Sequence, residues 1–216
     1  MMLKQKINIL DCTLRDGGYY NNWDFSLDLV RDYIKSISLS GIKYIELGFR
    51  SFSSKSFKGS NWYTTENYIN SLSIPKDINI CIMINASQII MQNNLESAVK
   101  KIFVKKNKSK VHLVRVASHF HELDKTFKII KIIKKLGYKV ALNLMQISEL
   151  SEKDLVNISH NIQKNKPDIF YFADSLGSLD PIKIRKIIKN IKTYWKGEIG
   201  FHAHDNLGKA ILNTKE

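Results

Sequence analysis

Three features of this 216-residue sequence predict an α/β fold with a parallel sheet. Short β-branched runs alternate with longer amphipathic runs along the chain. Helix-capping residues fall at the junctions between the two kinds of run. Polar residues gather just after the strand-like runs, at one end of the implied sheet. The strand-like runs are 7–11, 44–48, 78–84, 111–116, 139–145, 169–172 and 199–202. Helix-like runs separate most of them, among them 26–39, 122–136, 151–164 and 181–195. Gly41 and Gly137 sit where helix C-caps belong. Ser151 with Asp154 forms a capping-box start, and Asp180 precedes a proline at the first helical position. Residues 50–63, rich in Ser, Lys, Phe and Gly, read as a long loop after the second strand.

These runs make about seven βα units, whereas a TIM (β/α)₈ barrel needs eight and is typically about 250 residues long. The expectation is therefore one catalytic TIM-barrel domain over residues 1–216, incomplete at its C-terminus. An open seven-stranded sheet is the alternative, and it would leave two unpaired strand edges.

Composition narrows the class. Lysine and arginine number 34 against 20 acidic residues, a formal charge of +14, and 44% of residues are hydrophobic. With three prolines and two cysteines, disorder and a disulfide scaffold are excluded. No apolar run approaches the roughly 20 residues of a membrane span, and the N-terminus lacks a signal-peptide pattern. A cytoplasmic protein without membrane contact is expected. Cys12 and Cys81 read as reduced core thiols, not as a redox or zinc pair. The lysines are spread along solvated helix faces. The densest group, Lys100, Lys101, Lys105, Lys106, Lys108 and Lys110, lacks the interleaved aromatics of a single-strand binder, so nucleic acid is not the expected partner.

In such barrels chemistry sits at the C-terminal ends of the strands. The first strand-like run leads into Asp11-Cys12-Thr13-Leu14-Arg15-Asp16-Gly17-Gly18, and the second holds Glu46. The fourth ends in Arg115-Val116-Ala117-Ser118-His119, the fifth carries Asn143, and the sixth ends in Ala173-Asp174-Ser175. The seventh runs into His202-Ala203-His204-Asp205-Asn206. Side chains at i and i+2 of a strand share a face, so His202 and His204 can chelate one divalent ion. Asp16 is the best third ligand, and two imidazoles with one carboxylate leave positions open for substrate. The absence of a cysteine near the pair disfavours a structural zinc site.

These residues resemble the DRE-TIM metallolyases, the hydroxymethylglutaryl-CoA lyase-like or pyruvate carboxyltransferase-like barrels. The signature D-x-T-L-R-D-G stands at Asp11 to Gly17 and H-x-H-x-N at His202 to Asn206. Within that family the chain looks nearest to the 4-hydroxy-2-oxovalerate aldolase branch, through Arg115 to His119 and Tyr171 to Ser175. The resemblance implies a lyase that cleaves a 4-hydroxy-2-oxo acid to pyruvate and an aldehyde, or runs the reverse, through a metal-bound enolate. It implies Mn²⁺ or Mg²⁺ on Asp16, His202 and His204, and Arg15 as a catalytic arginine that also contacts substrate. Ser175 and Asn143 would bind substrate, while Glu46, Asp174 and Asn206 would orient these groups.

One departure stands out. The branch's histidine base, three residues after the metal aspartate, is here Tyr19, a poor base at neutral pH. Tyr19, Tyr20 or His119 is then the candidate for the proton role, and Tyr19, Tyr20 and Trp23 could instead shape a different aldehyde pocket. The rival within the family is a Claisen-type acyl-CoA synthase or a hydroxymethylglutaryl-CoA lyase-like enzyme. The rival from another class is a catalytically inactive barrel that acts as a binding scaffold. Homo-oligomerisation or a dehydrogenase partner would follow the branch's pattern.

Overall fold

The computed structural model describes residues 7–216. Seven parallel strands pair in sequence order and curl into a half-barrel. They are β1 (Leu10–Asp11), β2 (Tyr44–Phe49), β3 (Asn79–Asn85), β4 (Val111–Ser118), β5 (Lys139–Leu144), β6 (Ile169–Ala173) and β7 (Glu198–His202). Ten α-helices lie among them: α1 (Thr13–Asn21), α2 (Leu27–Leu39), α3 (Ser60–Tyr63), α4 (Glu66–Ser71), α5 (Ala86–Ile90), α6 (Leu95–Ile102), α7 (Leu123–Lys135), α8 (Glu152–Asn165), α9 (Pro181–Ile191) and α10 (Ala210–Thr214). Among the described residues no strand bridges β7 back to β1.

Strand alternation sorts the core into an outer and an inner set. Ile45, Leu47, Ile80, Ile82, Val114, Val116, Leu142 and Phe170 point outward and join the helices in the main apolar cluster. The alternate positions face inward. Toward the N-terminal ends of the strands these are Cys81, Leu113 and Ala141, with Tyr44, Ile169 and Tyr171 packed against them. Trp23, Phe49, Met83 and Ala117 form a separate inner cluster. Glu46, Arg115 and Asn143 are inward positions too, and all three are buried. The barrel interior thus carries charge in the midst of an apolar wall.

The capping residues act as expected. Ser151 and Asp154 close the capping box of α8, and Asp180 accepts from Lys183 N–H at the start of α9. Gly41 and Gly137 follow α2 and α7 with φ of +82° and +96°.

Two local features differ from expectation. β1 is only two residues long, and the polar stretch after it is a helix, α1, so Arg15, Asp16 and Tyr19 project from helical turns. The expected loop 50–63 is tied down and ends in the short helix α3. Asn61 Nδ2 donates to Leu47 O at 2.6 Å and Thr64 Oγ1 to Phe49 O at 2.6 Å. This clamp depends on Gly48. A Cβ there would lie 1.8 Å from the Asn61 carbonyl oxygen, on a backbone with φ of +157°. The same stretch shifts register between Glu46 and Phe49 against β3.

Candidate active site

The site is built around a buried carboxylate. Glu46, on β2, is fully buried, and its Oε2 accepts from Arg15 Nε and from Arg115 Nη1, each at 2.9 Å. Burial pushes the Glu46 carboxyl up, but Arg115 and Arg15 outweigh it and hold the group below its ordinary value. Arg115, on β4, also donates through Nη2 to Asn143 Oδ1 at 2.7 Å and lies 4.5 Å from the Tyr171 ring centroid. Four strands are thereby joined through one guanidinium.

Arg15 hands this order on to the next layer. It pairs with Asp16 beside it, and the Trp23 indole N–H donates to its carbonyl at 2.9 Å. Its guanidinium is buried between Glu46 and Asp16 and cannot swing away from either without leaving a buried charge alone.

The two histidines meet Asp16 across the gap between β7 and α1. His202 Nε2 lies 3.1 Å from His204 Nε2 and 3.6 Å from Asp16 Oδ2. The His204 Nδ1 sits 3.0 Å from the Ser175 carbonyl oxygen. An N–H at Nδ1 satisfies that oxygen and leaves the Nε2 lone pair facing His202. Burial, with Arg115 and Arg15 nearby, pulls His202 down to about 3, so its imidazole is neutral. Burial pushes the Asp16 carboxyl up against the pull of Arg15. A cation with bonds of about 2.1 Å places neighbouring ligand atoms about 3 Å apart. His202 Nε2 is the atom that links the histidine pair to Asp16, and side-chain rotations of Asp16 and His204 toward it would be needed for the three to share one divalent ion.

The remaining expected residues are placed as follows. Ser175 lies beside this set, its Oγ accepting from Gln146 N–H at 3.1 Å. Asn143 spends its side-chain oxygen on Arg115. Asp174 is buried but accepts from Ser178 and Leu179 N–H, so it shapes the turn after β6. Asn206 is exposed and packs against Gly177. Tyr19, one turn beyond Asp16 on α1, is exposed, with its ring 4.7 Å from Trp23 and 6.3 Å from Phe49 between centroids. Burial of part of the ring raises its phenol above the ordinary value. His119 follows β4; its N–H donates to Glu122 Oε2 at 3.1 Å and its ring stacks on His121. Its contacts do not include Arg15, Asp16 or the histidine pair.

Two residues without an expected role belong to the site. Arg115 stands in the sequence within the strand-end stretch 115–119 with no role of its own there, although one charged residue in an apolar strand run is a signal that could have marked it. Cys12 corrects the expectation that no cysteine lies near the histidines. Its Sγ, an Asp16 oxygen and a His202 nitrogen lie within 4.8 Å of one another. Burial, reinforced by Glu46, pushes its thiol up to about 12.

The family profile described as HMGL-like matches residues 6–216. A curated 4-hydroxy-2-oxovalerate aldolase from Carboxydothermus hydrogenoformans is 30% identical over 219 residues, covering 98% of this chain and 61% of its own length. The N-terminal domain of a candidate aldolase from Bacteroides vulgatus superposes with a TM-score of 0.79 at 31% identity, over 97% of this chain and 68% of that one. Hydroxymethylglutaryl-CoA lyase from Pseudomonas aeruginosa shares the fold at a TM-score of 0.74 and 14% identity, over 100% of this chain and 73% of that one. The chain spans about 60% of the length of the curated relatives it matches.

Proposed function

Because the chain belongs to the HMGL-like family, we propose that it is a divalent-metal-dependent carbon–carbon lyase. In this reading it cleaves a 4-hydroxy-2-oxo acid to pyruvate and an aldehyde, or runs the reverse condensation. The observation that carries the reading is the convergence of His202, His204 and Asp16 beside an arginine that Glu46 holds in place. Asp16, His202 and His204 would hold the ion, Mn²⁺ or Mg²⁺. A divalent cation there supplies Lewis acidity toward the keto and carboxylate oxygens of the substrate.

The protein's own groups then have distinct tasks. Arg15 presents a fixed positive charge to the oxygen on which negative charge develops, and its two carboxylate partners keep it from reorienting during the reaction. Ser175 Oγ accepts from Gln146 and so retains its proton to donate to the substrate carboxylate. Tyr19 keeps its phenolic proton at neutral pH, so it donates a hydrogen bond to a substrate oxygen and does not remove a proton. His119, at the end of β4, would have to turn from its stack on His121 toward the site to take the proton of the 4-hydroxyl group. Glu46 and Asn143 act through Arg15 and Arg115 by fixing their positions.

The test is Mn²⁺ calorimetry followed by a substrate panel. Wild type should bind Mn²⁺, and the His202→Ala/His204→Ala protein should not. The loaded wild type should release pyruvate from at least one 4-hydroxy-2-oxo acid. Thiol release from acetyl-CoA with a 2-oxo acid, without pyruvate release, would instead assign Claisen chemistry. Folded wild type that binds no divalent ion would sink both.

A further inference from the structure

The cleft between β1 and β7 brings a different kind of donor to the histidine–carboxylate set. Cys12, Asp16 and His202 line it together with Leu10, Phe201 and Thr214, in a space of about 430 Å³. The three donor atoms lie within 4.8 Å of one another. Bonds of about 2.1 and 2.3 Å set neighbouring ligand atoms about 3.1–3.6 Å apart, so side-chain movements of up to about an ångström bring all three atoms to one ion. Arg115 Nη1 stands 3.5 Å from Sγ and places positive charge where a thiolate would form. Cys12 is the second residue of the stretch Asp11 to Gly17, directly after β1.

We propose that Cys12 is a thiolate ligand of the cation held by Asp16, His202 and His204, and that the site takes a thiophilic ion of the Zn²⁺, Co²⁺ or Fe²⁺ class in preference to Mg²⁺. The inference rests on the cation site proposed above and adds a ligand to it. As the sulfur–metal bond forms, the thiol proton leaves to solvent, and no oxidation state changes. Sulfur beside two imidazoles favours the softer ions, whereas an all-oxygen set would suit Mg²⁺.

Cobalt(II) is the probe, titrated anaerobically into the full chain and followed by absorption. Wild type should show ligand-field bands together with a near-ultraviolet thiolate-to-cobalt charge-transfer band. Cys12→Ser should keep the ligand-field bands and lose the charge-transfer band. Cys81→Ser should keep both, and His202→Ala/His204→Ala should lose both. Ligand-field bands without charge transfer in wild type overturn the thiolate ligand and leave the cation site standing. No cobalt uptake by folded wild type overturns the ligand and the cation site together. X-ray absorption on zinc-loaded wild type needs no variant. A sulfur shell at about 2.3 Å supports the proposal, and a shell of nitrogen and oxygen alone overturns it.

Discussion

Glu46 shares one carboxylate oxygen between Arg15 and Arg115 with no access to water. Removing one partner of such a group leaves a buried charge half compensated, a loss of about 3–5 kcal/mol. Arg115→Met should therefore destabilise by about that amount in urea unfolding, and Glu46→Gln in the same background should recover part of it. The sign with pH follows from the lowered Glu46 carboxyl. Its contribution is present above its unfolded value near pH 4.5 and is lost as pH falls through the folded value. Glu46→Gln should flatten the acid limb of the stability curve. In pyruvate-release assays His119→Gln should cost about 10²–10⁴-fold in kcat/KM, the range for a general base, and Tyr19→Phe should cost less. The i and i+2 spacing of His202 and His204 made their approach to each other legible in the sequence, because strand geometry puts such side chains on one face. Arg115 was not legible as the centre of the network, because its partners come from three other elements that no local pattern relates.

The second strand and the loop after it behave as one element. Gly48 lets the Asn61 carbonyl lie against β2, and Asn61 and Thr64 then bond Leu47 O and Phe49 O. Gly48→Ala forces a Cβ into that backbone and should cost about 1–3 kcal/mol or more, read as a lowered Tm. Ser151→Ala at the start of α8 removes one half of a capping box and should cost about 1 kcal/mol. The alternation of strands and helices was readable because periods of 2 and 3.6 differ clearly in long runs. The order within 50–63 was not, because side-chain bonds to β2 create it and composition does not. α1 was not legible for a related reason: the Arg-Asp-Gly-Gly stretch has poor helix propensity, and its helical state is held by tertiary contacts such as that of Trp23 with the Arg15 carbonyl.

Across the whole molecule, seven parallel strands enclose a core on the side of the helices, and β1 and β7 stand apart at the cleft. Strand edges of this kind pair with other chains when nothing covers them. The formal charge of +14 opposes such pairing at low ionic strength, and salt screens it. These 216 residues on their own should therefore sediment as larger species at high salt than at low salt. A monomer at every salt and protein concentration would contradict this. No helix of the described residues is long and apolar enough to cross a membrane. The count of about seven βα units was legible from the sequence, since each unit carries its own periodicity. The Arg115 guanidinium has a further consequence, in the order of assembly. Its partners Asn143, Glu46 and Cys12 lie 28, 69 and 103 positions away along the chain. Loops of that span close late, so no early folding nucleus can satisfy this side chain. A refolding sample should regain helical ellipticity before the Arg115 network forms, read as acid resistance of the refolded state returning after the helical signal.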